Sequence, residues 1–122
     1  MTDKLDRPDK LLRPDKTDTP DEDIRIMLAD LWQRHLPALR ERLDILDRTA
    51  KEAMSGSLSE STREEAQSIA HKLAGNLGMF GHNQAGDIAS QLEQILKTPT
   101  PQTLPELSPL AQSLRRELAP NL

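Results

Sequence analysis

Residues 70–82, AHKLAGNLGMFGH, combine a histidine with repeated glycines in a segment whose apolar residues have helical spacing. Three of the five glycines of the chain lie here, at Gly75, Gly78 and Gly81. A glycine in a helix interior costs about 0.8 to 1.0 kcal/mol relative to alanine, so its repeated use beside His71 requires a reason. One nitrogen of a neutral imidazole is a nucleophile, which makes His71 the first candidate for chemistry.

The apolar spacing predicts which way His71 faces. The stripe recurs every three or four residues, at Ala66, Ile69, Ala70, Leu73, Leu77 and Phe80. On a helical wheel, His71 lies roughly 150 degrees from the centre of this stripe, on the outer surface. Gly75 and Gly78 fall on the same outer side. We therefore expect these two glycines to clear the surface around an exposed imidazole, so that another macromolecule can approach it.

A carboxylate is predicted opposite His71. If the chain reverses at His82, residues equidistant from the turn lie at the same height on two antiparallel helices, and Glu93 then faces His71. A carboxylate there can accept a hydrogen bond from one ring nitrogen and leave the other as a nucleophile. We expect Lys72 to neutralise an anionic group held on His71. Gln67, one turn earlier on the same helix, is expected to donate a hydrogen bond to that group. A solvated glutamate and a merely solubilising lysine are the open alternatives.

The composition predicts the scaffold that must hold these residues. One Phe, one Trp and no Tyr stand against many Leu, Ala, Glu, Gln, Lys and Arg, which favours an all-α fold with narrow helical seams and no deep cofactor pocket. The net charge of -4 argues against nucleic acid as a partner. Without cysteine, disulfides and thiol chemistry are excluded. The sequence offers no signal peptide and no membrane-spanning run, so a cytoplasmic location is expected.

Breaker residues and apolar spacing predict the order of elements: a disordered tail over residues 1–20, a short leading helix at about 22–34, a longer helix to about 54, the histidine helix, a helix ending at Lys97, and a last helix ending at Leu118. Pro37 should kink or restart the chain between the first two helices. Ser61 and Glu64 form a candidate capping box for the histidine helix, and Gly81 should end it. The short connections predict an antiparallel up-down four-helix bundle over residues 21–120.

The start of the last helix has two candidate signals. Thr103 with Glu106 is one, and Ser108 with Pro109 is the other. A metal site formed by His71, Glu93 and His82 is a further alternative for function. The two histidines are about 16 Å apart along a straight helix, however, so they cannot easily share one ion, and no metal is expected.

The run from His71 to Gly81 resembles the signature of histidine-containing phosphotransfer (HPt) domains. In that family a phosphoaccepting histidine is followed by Leu two residues later and by Gly four and ten residues later, matched here by His71, Leu73, Gly75 and Gly81. The family commonly has Lys three residues after the histidine, where this chain has Ala74 with Lys72 nearby. Its polar residue supporting the histidine, on the next helix, corresponds to Glu93.

The resemblance implies a phosphorelay intermediate. His71 would accept a phosphoryl group from the aspartate of a response-regulator receiver domain and pass it to a second receiver. A hybrid histidine kinase and receivers would be the partners, and the chain would act as a monomeric carrier. Mg²⁺ would come from the receiver, because the sequence has no nucleotide-binding motif. The alternative is a helical adaptor that docks to a receiver without being phosphorylated.

Overall fold

A computed structural model of the protein describes residues 20–122, which are helical throughout apart from turns and connections. Its helices are α1 (Pro20–Met54), α2 (Glu60–Met79), α3 (Asn83–Lys97) and α4 (Leu107–Leu118), with short 3₁₀ turns at Leu104–Glu106 and Ala119–Asn121. The all-α class and the antiparallel up-down four-helix bundle are thus confirmed. The predicted disordered tail lies outside the described residues, except for Pro20, where α1 begins.

The chain divides into two compact units, one ending at His35 and the other comprising Leu36–Leu122. The second unit contains the bundle core, which is built mainly of leucine because the seams between helices are narrow. Its most deeply buried leucines are Leu39 and Leu43 on α1, Leu73 and Leu77 on α2, Leu92 and Leu96 on α3, and Leu107, Leu114 and Leu118 on α4. Full burial of each such side chain stabilises the fold by about 1.5–3 kcal/mol.

The described part of the first unit is a single helical stretch, residues 20–35. Its first turn carries three acidic residues, Asp21, Glu22 and Asp23, where they complement the helix dipole. Arg34 and Asp30 form an i,i+4 ion pair at 2.9 Å. The rings of Trp32 and His35 lie 6.4 Å apart, centroid to centroid.

The prediction of a separate leading helix before Pro37 is wrong, since α1 runs without interruption through it. A proline inside a helix removes the hydrogen bond to the carbonyl four residues earlier, here that of Gln33. Both Pro37 and Gln33 are exposed, so water can reach this side of the helix. Buried side chains at Leu36 and Leu39 favour helix on either side of Pro37. The boundary between the two compact units still falls just before this proline.

An arginine links α1 to α4 within the bundle. Arg115 donates from Nη2 to Asp47 Oδ2 at 2.6 Å and to Asp44 Oδ1 at 3.0 Å. Partial burial has the largest single effect and works against the charged form, but the hydrogen bonds and attraction from Asp47 and Asp44 raise the pKa of Arg115 above its ordinary value. The carbonyl of Leu122 accepts a hydrogen bond from Arg40, which holds Leu122 against α1.

The N-terminus of α2 differs from the predicted capping box. Ser59, with extended backbone, is the N-cap, and its Oγ accepts a hydrogen bond from the backbone N–H of Thr62 at 3.2 Å. Ser61 and Glu64 lie inside the helix instead. Only a residue with extended backbone just before the helix can direct its side chain back to the free N–H groups of the first turn. Ser59 has that position and that conformation.

The α2–α3 connection is a tight reversal closed by Gly81. Gly81 has φ +87°, and its N–H donates to the carbonyl of Gly78 at 3.0 Å. The N–H of His82 donates to the carbonyl of Leu77 at 2.8 Å. These two bonds form a Schellman motif, in which a residue with positive φ lets the chain fold back over the helix end. The reversal sets α3 antiparallel to α2.

Gly86 on α3 permits the close approach of these two helices. A Cβ at this position would lie 3.3 Å from the carbonyl oxygen of Ala74 and 3.5 Å from the backbone nitrogen of Gly78. α4 begins between the two sequence signals, at Leu107, directly after a 3₁₀ turn that itself begins just after Thr103. None of the helices in residues 20–122 is long and apolar enough to cross a membrane.

Candidate functional site

His71 and Glu93 form a side-chain pair across α2 and α3. Nδ1 of His71 lies 2.8 Å from Oε2 of Glu93, although the two residues are 22 positions apart. The imidazole side chain is 74% exposed, whereas the Glu93 side chain is only 18% exposed. The Glu93 carboxylate therefore holds the imidazole through Nδ1, and the opposite edge of the ring is open to solvent.

The chemistry of the partner fixes the tautomer of the neutral imidazole. An ionised carboxylate only accepts hydrogen bonds, so Nδ1 of His71 must carry the hydrogen that bonds to Glu93. Nε2 then carries the lone pair, on the exposed edge of the ring. The arrangement presents one nucleophilic nitrogen at a defined position on a rigid helix.

A shallow groove surrounds this pair and contains a third predicted site residue. Its lining consists of Glu64, Gln67, Ser68, His71 and Glu93. Gln67 is half-buried and lies one turn before His71, so its amide and the imidazole share a helix face. Lys72 is exposed, and no hydrogen bond or ion pair involves its side chain within residues 20–122.

Arg63 is a residue of this region that the sequence analysis missed. Its Nη1 donates to Oε1 of Gln67 at 3.0 Å and to the carbonyl of Leu96 at 2.6 Å. Its Nη2 and Nε donate to the Glu60 carboxylate at 2.5 and 3.0 Å. Only 16% of the Arg63 side chain is exposed. The hydrogen bond to Arg63 lowers the pKa of Glu60 against a smaller opposing effect of desolvation.

The glycines near His71 differ in how much space surrounds them. Positions Gly75 and Gly78 are exposed, and a Cβ added at either would meet no atom within 4 Å. Neither glycine is needed for space inside the bundle. Gly86, which the sequence analysis did not single out, is the glycine whose missing side chain makes room for a neighbouring helix.

The other sequence candidates do not join this site. His82 lies at the α2–α3 turn, in a separate groove that also includes Glu117. Among residues 20–122 there is no group of three or more His, Cys, Asp or Glu side chains arranged to hold a metal ion. A larger groove, of about 570 Å³, lies between α1 and α4 beside Asp47 and Arg115, but it includes no histidine.

Comparison with known proteins adds an independent observation. The Hpt domain family matches residues 23–119 of the chain. Over 94 residues the chain is 31% identical to Protein RcaC of Microchaete diplosiphon, an alignment that covers 75% of this chain and 14% of that protein. The chain thus spans about one seventh of the length of this curated relative. No solved structure matches the chain significantly.

The family match covers most of the chain, including the described α1–α4 bundle and the paired His71 and Glu93. Hpt domains take part in phosphorelay signalling by histidine phosphotransfer. The chain belongs to the Hpt domain family.

Proposed function

We propose that His71 is the phosphoacceptor of a phosphorelay, taking a phosphoryl group from the aspartate of one receiver domain and delivering it to another. The observation that carries this proposal is the pairing of an exposed imidazole with a mostly buried carboxylate, Nδ1 to Oε2 at 2.8 Å. The chain would act in the cytoplasm as a monomeric carrier, with a hybrid histidine kinase upstream.

The transfer step follows from the tautomer. The lone pair on Nε2 of His71 attacks the phosphorus of the aspartyl phosphate, an N–P bond forms, and the P–O bond to the aspartate breaks as the carboxylate leaves with its electron pair. The ring then bears a hydrogen on Nδ1 and a phosphoryl group on Nε2, and the Glu93 carboxylate stabilises its positive charge. Transfer to the second receiver reverses these bond changes. Catalysis of this kind depends mainly on positioning and charge neutralisation.

The phosphoryl oxygens carry negative charge in the transition state. We assign the neutralisation of this charge to the receiver and to Lys72. The nearest carboxylate, Glu93, is already bonded to His71, so we propose that Mg²⁺ arrives with the receiver rather than with this chain. Lys72 is exposed and without an ion pair among residues 20–122, which leaves its ammonium group available to phosphoryl oxygens. We propose that it takes the place of the lysine that the family commonly has at the position of Ala74.

Accessibility supports the docking of a large partner at this face. Gly75 and Gly78 lie one and two turns after His71 and carry no side chain above the helix surface. We propose that they form part of the surface against which the receiver packs, so that its aspartyl phosphate can reach Nε2.

Mass spectrometry after incubation with a phosphorylated receiver tests the proposal. The wild type should gain an acid-labile group of about 80 daltons, as one phosphoryl group requires. His71→Gln should gain nothing, while the matched variant His82→Gln should be phosphorylated like the wild type. Tight receiver binding without a gain in mass, for any receiver of the host, would contradict the carrier function and favour the adaptor alternative.

A further inference from the structure

The orientation of the Gln67 amide is fixed by chemistry. Arginine has hydrogen-bond donors only, so the Gln67 atom that lies 3.0 Å from Nη1 of Arg63 must be the carbonyl oxygen Oε1. The amide nitrogen Nε2 therefore points away from Arg63. Within residues 20–122 no hydrogen bond uses this nitrogen, and the residue lines the groove that contains His71.

We propose that Arg63 is a positioning residue for phosphoryl transfer, which holds the Gln67 amide so that its Nε2 donates to the phosphoryl group on His71. The inference rests on the proposed function. An ordinary glutamine side chain on a helix surface loses rotamer freedom when it binds an anion. Arg63 imposes that restriction before the phosphoryl group arrives.

The surroundings of Arg63 suit this role because its guanidinium is itself held from two sides. The Glu60 carboxylate accepts two of its hydrogen bonds, from Nε and Nη2. The carbonyl of Leu96, in the last turn of α3, accepts a third. A planar fork fixed in this way has little freedom left, so it can define the direction of the Gln67 amide. The same bonds connect the beginning of α2 to the end of α3.

Lysine at position 63 would not reproduce the arrangement. Its single ammonium group is a point charge on a flexible stem, and it cannot hold the Glu60 carboxylate, the Leu96 carbonyl and Gln67 in fixed relative directions. Arg63→Lys therefore separates charge from geometry. If the positive charge alone were important for transfer, this variant would behave like the wild type.

A double-mutant cycle on the transfer rate from a phosphorylated receiver tests the coupling. Gln67→Met should slow transfer about tenfold, since it removes a hydrogen bond to a charged group. Arg63→Met should slow it about fivefold, and Arg63→Lys by nearly as much. The double variant should be no slower than Gln67→Met alone, because Arg63 acts through that amide.

Arg115→Met is the matched control, because Arg115 also bridges two helices by hydrogen bonds but lies outside the groove. It should lower the melting temperature and leave the transfer rate unchanged. Two results would overturn the proposal: a wild-type rate for Arg63→Met, or losses that multiply in the double variant.

A spectroscopic experiment separates this proposal from the receiver reaction. Phosphoramidate can load a histidine chemically, releasing ammonia, without any receiver. In ¹⁵N-labelled protein the side-chain amide signals of Gln67 should shift when His71 is loaded, and the shift should vanish in Arg63→Met. If no receiver phosphorylates His71 while this shift is present, the proposed function fails and the positioning role stands. An unmoved Gln67 signal in loaded wild type would refute the positioning role.

Discussion

At the scale of single residues, the hydrogen bond to Glu93 makes the two nitrogens of the His71 imidazole unequal. Glu93 engages Nδ1 at 2.8 Å from the less exposed side of the pair, and solvent meets the opposite edge. Because the bond to Glu93 decides where the proton resides, it also decides which nitrogen keeps the lone pair that the proposed transfer uses. Removal of the carboxylate should therefore change the chemistry of His71 more than it changes the fold.

Glu93→Ala should shift the neutral imidazole of His71 away from the Nδ1–H tautomer and slow phosphoryl transfer. The acceptor that stabilises hydrogen at Nδ1 is lost, so Nε2 is protonated in a larger fraction of molecules. Long-range ¹H–¹⁵N spectra at alkaline pH report the tautomer directly. Glu93→Gln keeps an acceptor oxygen and should retain most of the Nδ1–H form. An unchanged tautomer in Glu93→Ala would show that the hydrogen bond has no influence on the ring.

Glu60 should contribute a pH-dependent term to stability. The hydrogen bond from Arg63 lowers the pKa of Glu60 in the folded protein. The stabilisation is therefore present above the ordinary pKa of a glutamate and is lost as the pH falls through the lowered folded value. Unfolding curves of wild type and Glu60→Gln should differ above about pH 5 and converge toward about pH 2. A constant difference across this range would contradict the linkage.

The sequence could predict that His71 lies opposite Glu93. In two antiparallel helices joined by a tight turn, residues at equal distances from the turn lie at the same height. Arg63 could not be found in that way. One of its partners is the backbone carbonyl of Leu96, and every residue has such a carbonyl, so no side-chain pattern marks the contact. Gly86 was missed for a related reason, since the atoms it accommodates belong to the backbone of α2.

At the scale of elements, glycine serves two opposite purposes in the α2–α3 hairpin. Gly86 lies at the interface, where an added Cβ would press on the Ala74 carbonyl at 3.3 Å. Gly75 and Gly78 face outward with open space around them. The hairpin therefore offers an internal comparison between a glycine required for packing and glycines that the fold itself does not need.

Alanine substitution should separate the two classes in denaturant unfolding. Gly75→Ala and Gly78→Ala should each stabilise the protein by about 0.5–1 kcal/mol, because alanine favours the helix and meets no neighbour. Gly86→Ala should gain nothing, since the contact with the Ala74 carbonyl offsets the helical gain. Gly86→Val should lose about 1–3 kcal/mol through overpacking. Equal stabilisation at all three alanine positions would refute the distinction.

A larger side chain on the outer glycine should affect transfer without harming the fold. Gly75→Gln places a long polar side chain one turn from His71, where we propose that the receiver packs. Transfer from a phosphorylated receiver should slow severalfold, while the melting temperature stays equal or rises. Loading of His71 by phosphoramidate, a small reagent, should be nearly unaffected. A wild-type rate with the receiver would mean that this surface does not need to be clear.

The spacing of apolar residues was enough to predict that the four helices exist, but it did not predict two of the helix boundaries. The expected break at Pro37 assumed that the missing hydrogen bond would decide the local structure, yet buried leucines on both sides keep α1 continuous. Ser59 rather than Ser61 caps α2. Both serines lie where the helical pattern begins, so the pattern alone does not show which of them is the N-cap. The backbone conformation, set by the loop before α2, decides it.

At the scale of the whole molecule, the residues that form the core of the compact unit Leu36–Leu122 are distinct from those that line the groove around His71. Leucines from all four helices fill its core, whereas the residues that line the groove around His71 come from α2 and α3 alone. α4 packs against α3 and is linked to α1 by Arg115, but it contributes no residue to that groove. Weakening α4 should therefore cost stability while the site keeps its geometry.

Leu114→Ala tests this separation because Leu114 is completely buried on α4. The cavity should lower the free energy of unfolding by about 2–5 kcal/mol, as measured by urea denaturation. At about 15 °C, where proteins of this kind are near maximum stability, the folded variant should transfer phosphoryl groups within about twofold of the wild-type rate. Leu73→Ala removes an equally buried leucine from α2, two residues after His71, and should lower both stability and transfer rate. If Leu114→Ala slowed transfer as much as Leu73→Ala while circular dichroism showed a folded protein, then the site would depend on the packing of the entire bundle, and the rigidity of the α2–α3 hairpin would not be sufficient to hold His71.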